Sequence, residues 1–407
     1  MQQPLVLKYK PVRDVLTYIQ FYFHQEFLLL QIDVPKANEQ GPLAVENIFS
    51  HLAGAHSTFS FYENWWVGRC QLPLSLEIIS VGGYIKFIIR TPVKYRDLVE
   101  ASVYSQYPDA QITEVQDYVG SVPKQYPNPT HLLWGAEWIP VNHEVYPIRT
   151  YKEFEDKLSG EFKDPLSAIL EDFARISEGE QAWYQILVIP IGQKEWPEAG
   201  TTVINKLIGR KEEHKTSWVS TLLGLPLQFL TLLVDIISPP SSEGAPHKAE
   251  EEDFEKSKML FMPPHEKNIV EAIGKKISKI GFEVKIRFIY VARKEIYYPP
   301  RVVNGFVGGI KQFNTVDLNS LKPATKFWTS IPPPWDFRSI RLNLRRQQIL
   351  RAYRGRSDGR GARHPFVLNT EELATLWHFP MMQVKAPLVK KSESKKAEPP
   401  FSLPVVE

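Results

Sequence analysis

The densest set of chemically competent side chains is a run of arginines. Arg338, Arg341, Arg345, Arg346, Arg351, Arg354, Arg356, Arg360 and Arg363 follow one another with Asp358 as the one acid among them. Guanidinium groups at this density suit phosphate, whether of nucleic acid or of anionic lipid, and Arg338, Arg341, Arg345, Arg346, Arg351 and Arg354 are the candidate contacts. The competing reading is an amphipathic helix with a solvated cationic side, followed by a loose Gly/Arg loop. Whole-chain charge does not choose between them, because 49 Lys+Arg against 46 Asp+Glu leave a net +3.

Other chemistry has no recognisable carrier. The sequence holds no phosphate-cradling GxxxxGK with a following Ser or Thr, and no GxGxxG, HExxH, GxSxG or paired CxxC. Its ten histidines are scattered, and His51 and His56, five apart, do not share a helical face. The single cysteine, Cys70, excludes an internal disulfide framework and reads as a small buried hydrophobe, in keeping with a reducing compartment. Trp65 with Trp66, and Trp134 with Trp138, offer faces on which bases or headgroups stack, but core or interface packing is the favoured reading of such pairs. No catalytic residue, metal ligand or cofactor is assigned.

The elements that must position these side chains are legible from hydrophobic period. A strand at 28–35 leads to a helix opened by Pro42, with Val45, Ile48, Phe49 and Leu52 on one face. Leu74, Leu76 and Ile78, then Gly82-Gly83, then Ile85, Phe87 and Ile89 read as strand, tight turn, strand. Helical spacing over 95–107 and an extended run over 110–119 complete the order β-α-β-β-α-β. A related order recurs: a strand at 132–141, a helix begun at Asp164-Pro165 with Leu166, Ile169, Leu170 and Phe173 inward, and a strand at 183–191. After an interruption come a helix carrying Ile269, Val270, Ile273 and Ile277, and a strand in which Phe282, Val284, Ile286, Phe288 and Tyr290 alternate with Glu283, Lys285 and Arg287.

The expected fold class is therefore α+β, with two ferredoxin-like (βαββαβ) units, the second carrying a long insertion, followed by an irregular basic C-terminal tail. The expected organisation is a helical lead over 1–24, units at 25–122 and 130–295, an insertion at 193–258, and a Pro/Arg-rich extension with a docking tail at 296–407. Aromatic residues Tyr84, Phe87 and Tyr104 do not form the pattern by which RNA-binding sheets of this kind stack bases.

The insertion joins a basic stretch, an apolar segment at 216–238 and an acidic linker. Trp218, Leu222, Leu223, Leu227, Phe229, Leu230 and Leu233 make that segment apolar around most of its circumference, which suits a membrane interface, burial against this protein or a partner, or a span. Pro226 and Asp235 count against a span. In the tail, Asn369 or Thr370 caps a short helix with Glu372 in capping-box spacing, and Leu373, Leu376, Trp377 and Phe379 form an apolar face for a partner or for the chain's own core.

Several strings resemble a known family. GPLAVENIFSHL, LSLEIISVGGYIKFIIRTPVKYRDLVEASVYSQYPDAQITEVQDYV, GFEVKIRFIYVARKE, FVLNTEELATLWHFP and KKAEPP are similar to the region that precedes the motor in bacterial type IV secretion or conjugation-like ATPases of the HerA and FtsK superfamily. The motor's nucleotide-binding residues have no counterpart to carry over. The resemblance implies a non-catalytic scaffold or adaptor in a DNA or protein translocation apparatus, working as an oligomer with a separate P-loop ATPase or other secretion components. It would sit in the cytoplasm at the inner face of the cell membrane. The alternative is a nucleic-acid-binding module, with DNA as its partner, that uses the arginine run.

Overall fold

The computed structural model describes residues 25–35, 38–60, 62–63, 69–155, 162–192, 195–208, 263–330, 336–361 and 364–381. Along the chain, β1 (Phe27–Asp33), α1 (Pro42–Leu52), β2 (Leu74–Val81), β3 (Tyr84–Pro92), α2 (Arg96–Gln106) and β4 (Gln111–Val115) come first. They are followed by β5 (His131–Pro140), α3 (Ser167–Ala174), β6 (Glu180–Pro190), α4 (Glu195–Ile208), α5 (Pro264–Ile277) and β7 (Gly281–Arg293). The order ends with α6 (Pro299–Lys311), β8 (Leu321–Pro323), α7 (Ile340–Arg354), β9 (Phe366–Asn369) and α8 (Thr370–Leu376).

These strands form one antiparallel sheet of nine, ordered β4-β1-β3-β2-β6-β7-β5-β8, with β9 on β7 beyond the end of β5. The α+β class is as expected, and Gly82 and Gly83 make the β2–β3 turn at φ +58° and +90°, where only glycine is unstrained. The two halves are not separate bodies: β2 pairs with β6 from Leu74↔Val188 to Val81↔Gln181, so the sheet runs through the junction. The second half also extends past the expected boundary at 295. Pro299 opens α6, which buries Val302, Val303, Phe306 and Ile310, and β8 then pairs with β5.

One face of the sheet carries the main core. Alternate residues of every long strand, such as Leu76 and Ile78 of β2 or Ile286 and Phe288 of β7, meet the apolar stripes of α1, α2, α3, α6 and α8. Phe306 of α6 stacks on Phe288 at 4.0 Å between centroids, while Gly305 and Gly309 let α6 close directly onto Asp172 and Ile169 of α3. α4 and α5 pack on each other, with Trp196 and Ile273 in a smaller cluster. The opposite face is covered by α7 and the 117–126 connection, through Leu133, Trp183, Ile289, Ile349, Leu350 and Tyr353.

Among the described residues no helix is long and apolar enough to cross a membrane. The segment 216–238, with Trp218, Leu222, Leu223, Leu227, Phe229, Leu230 and Leu233, lies outside the described residues.

Candidate functional site

Charged residues inside strands are the least expected feature of the second sheet face. Glu77 of β2 stands opposite Gln185 of β6, Gln185 opposite Arg287 of β7, and Arg287 opposite Glu137 of β5. This polar row crosses four central strands, with Lys285 one position along on the same face of β7. All five side chains are at most 3% exposed. Period-2 alternation in β7 suggests that Lys285 and Arg287 face water; instead they face the underside of α7. A buried charge is tolerable only with partners, so the burial itself demands a network.

The partners come from α7 and the loop that follows it. Arg356 places Nε 2.9 Å from Glu77 Oε1 and Nη2 3.1 Å from Oε2, and its Nη1 and Nη2 donate to Asp117 at 2.6 and 3.0 Å. Glu77 also accepts from Ser75 at 2.6 Å, Tyr118 at 2.8 Å and Gln185 at 3.1 Å. Arg287 donates to Glu137 at 3.1 Å, Gln185 at 3.2 Å and three backbone carbonyls, those of Ala352, Ser357 and Arg360, at 3.1, 2.6 and 2.6 Å. Lys285 reaches Glu137 at 3.3 Å and the Arg360 carbonyl at 2.8 Å. Three acids thus balance three bases. The 355–361 loop, expected to be loose, is tied down by the carbonyls it lends to β7.

Protonation follows from this geometry. Burial pushes the Glu77 carboxyl up, but the Arg356 guanidinium and the Ser75 and Tyr118 hydroxyls more than offset it and hold Glu77 below its usual range. Burial pushes Lys285 and Arg287 down, with Glu137 opposing the shift in both. Burial likewise works against the Arg356 charge, yet Glu77 overrides it and raises Arg356. Tyr118 and Tyr353, whose hydroxyls lie 2.8 Å apart, are both raised, first by burial and then by Glu77. The two phenols therefore keep their protons at neutral pH, and with the Glu77–Arg356 pair they act as fixed donors and acceptors that clamp α7 to the sheet.

A second set of charges anchors the C-terminal segment on the main-core face. Glu372 closes the capping box with Asn369, as its spacing predicts, and also accepts from Ile148 N at 2.9 Å and Lys276 Nζ at 3.0 Å. Lys279 lies 2.5 Å from both Glu46 and Glu371, tying α1 to α8. The buried His378 ring contacts the Ala374 carbonyl at 2.8 Å and Asp164 at 3.0 Å. Leu373, Leu376, Trp377 and Phe379, expected as a docking face, are at most 1% exposed and pack on Phe49, Phe87 and Tyr107. The surface they cover belongs to this chain, because the capping box and β9 fold the segment back onto α1.

The arginine run divides by helical phase. Arg346 donates to the Leu133 carbonyl at 2.9 Å and Arg345 to the Trp328 carbonyl at 3.0 Å, so both serve to seat α7. Arg354 is half-buried, Arg338 precedes α7 at φ 59°, and Arg341 and Arg351 are exposed. Arg356, in the same run, is the clamp and 1% exposed. Arg363, Trp65 and Trp66 lie outside the described residues. Trp134 and Trp138 are core, 6.3 Å apart between centroids and at most 7% exposed. Cys70 is buried, and among the described residues no three His, Cys, Asp or Glu are placed to hold a metal ion.

Sequence reasoning passed over Glu77, Glu137 and Gln185 and put Arg287 on the water-facing side of its strand, although each interrupts an apolar strand. Charges at matched depth in several strands of one sheet are the signal that points to such a row.

A family model described as a domain of unknown function (DUF8128) matches residues 73–392, and the chain belongs to that family. The match takes in every residue of the ion network and the whole of α7 and α8. A search of curated proteins finds no match.

Proposed function

We propose that this chain is a non-catalytic, membrane-proximal scaffold or adaptor of a type IV secretion-like DNA or protein translocation apparatus, serving a separate P-loop ATPase. The observation that carries the reading is the internal balance of the ion network. Every titratable group on the central row is engaged in fastening α7 and its loop to the sheet, which leaves a rigid platform whose outward feature, among the described residues, is a cationic helix. The strings similar to the non-motor region of secretion ATPases supply the apparatus.

Within this reading the platform is a pair of ferredoxin-like halves. Support comes from strand order, β4-β1-β3-β2 in the first half and β8-β5-β7-β6 in the second, with α4 and α5 inserted between the second half's second and third strands. Joining the halves through β2 and β6 removes two sheet edges that would otherwise invite unwanted pairing.

Affinity purification of the chain from its native host tests the proposal. A separate P-loop ATPase recovered in stoichiometric amount is the expected result. Nucleotide hydrolysis by the purified chain itself, or recovery of secretion-unrelated partners alone, refutes it.

A further inference from the structure

The stripe of α7 that faces away from the sheet holds two aliphatic residues that none of the described residues covers. At 100° per residue, Ile340, Arg341, Leu344, Gln348, Arg351 and Gly355 fall within about a third of the helix circumference. This arc lies opposite Arg346, Ile349, Leu350 and Tyr353, which seat the helix. Ile340 and Leu344, one turn apart, are each 58% exposed, and Arg341 and Arg351 are exposed beside them. No acid lies between Arg338 and Ser357. The flanking Asp336 turns its carboxylate onto the first amides of α7, accepting from Arg341 N and Leu342 N at 2.9 Å.

We infer that this stripe docks on an anionic lipid surface, with Arg341 and Arg351 meeting headgroup phosphates while Ile340 and Leu344 enter the boundary with the acyl chains. The inference rests on the membrane-proximal reading above and names the surface that meets lipid. Charge complementarity selects an anionic partner, and the aliphatic pair selects lipid over nucleic acid. A phosphodiester backbone rewards the arginines but offers nothing apolar to Ile340 and Leu344, whereas a bilayer interface rewards both. The helix also suits the task mechanically, because Arg356, Arg287 and Lys285 hold its C-terminal end and following loop against the sheet without using any residue of the stripe.

Flotation of the purified full chain with phosphatidylcholine vesicles, with or without phosphatidylglycerol, tests the inference. The chain is expected to float with the anionic vesicles, not with phosphatidylcholine alone, and to be released by salt. R341A/R351A should lower partitioning on the order of 30-fold, and I340S/L344S on the order of tenfold. Both pairs are surface changes, so melting curves should stay at the wild-type position.

The outcomes separate cleanly. Flotation that persists in both variants but vanishes when 216–238 is deleted overturns the α7 surface and leaves the membrane-proximal reading standing. Wild-type chain that floats with no vesicle brings down both. Binding to a fluorescent DNA duplex instead of vesicles, lost in R341A/R351A and unchanged in I340S/L344S, overturns the lipid assignment in favour of nucleic acid.

Discussion

Replacing Arg356 with alanine removes the centre of the clamp. Glu77 is left at 0% exposure with its carboxylate still charged and only three neutral donors, from Ser75, Tyr118 and Gln185, to satisfy it. Asp117, the other partner, keeps a side chain 40% exposed and recovers hydration at little loss. The penalty therefore sits on Glu77, and breaking one partner out of a buried pair costs about 3 to 5 kcal/mol. At about 2.1 cal/mol/K of unfolding entropy per residue, a chain of 407 residues loses on the order of 4 to 6 °C in melting temperature. The sign of the pH dependence follows from the same geometry. In the wild type Glu77 is held below its usual range, so its contribution is full above that range and fades as pH falls. In R356A burial is no longer opposed by the guanidinium, and the folded-state value of Glu77 moves above the usual one. The variant's deficit should then be largest near pH 8 and shrink as pH drops and the carboxylate takes up a proton. E77Q in the R356A background should recover a large part of the loss at neutral pH, because it removes the stranded charge. Thermal melts of the wild type, both single variants and the double variant from pH 5 to 8 measure all of this. A deficit under about 1 kcal/mol, or one that does not change with pH, refutes the view that the row is an ionic clamp.

Glu371, which burial raises but hydrogen bonds from Lys152, Lys279 and Thr150 bring down to about 2, should contribute stability above the ordinary carboxylate range and lose it as pH falls toward 2; E371Q should flatten that part of the acid melting profile. Gly361, at φ +136° and with its missing Cβ directed at the Glu137 carboxylate and Lys285, should not tolerate alanine: G361A is expected to lose about 2 kcal/mol or more in urea denaturation, from strain and from displacement of the loop carbonyls. W377A should cost about 3 to 5 kcal/mol, since the indole is fully buried among Phe49, Phe87 and Phe379; a loss below about 1 kcal/mol places α8 away from the core. H378A should strand the Asp164 carboxylate, now held below its usual range against burial by the imidazole, and lower the melting temperature more at neutral than at acidic pH.

Local pattern carried a good part of the architecture. The alternation of Leu74, Leu76 and Ile78 with Ile85, Phe87 and Ile89 around Gly82-Gly83 is a hairpin by itself, because strand period and turn chemistry act over a few residues. The face of α1 with Val45, Ile48, Phe49 and Leu52, the face of α3 with Ile169, Leu170 and Phe173, and the Asn369–Glu372 capping box are local in the same sense. α6 is not among the expected elements, because Pro299 and Pro300 place it in what the sequence presents as a Pro/Arg-rich extension from 296 onward. The prolines in fact start the helix, and Gly305 and Gly309 are the residues that let α3 approach.

What sequence alone determined was the kind and order of most elements, the α+β class and the absence of familiar catalytic motifs, all of which depend on neighbours in the chain. Tertiary structure decided which polar residues are inside. Arg287 and Arg356 look like any surface arginine in a string of letters; they are buried because β2, β5, β6 and β7 bring Glu77, Glu137 and Gln185 to one depth and α7 closes over them. Likewise Trp377 and Phe379 could serve a partner or this chain until β9 paired with β7 and turned them onto α1. Pairings between residues tens to hundreds of positions apart leave no period to read, since their energy comes from desolvation and geometry that exist only once the sheet has assembled.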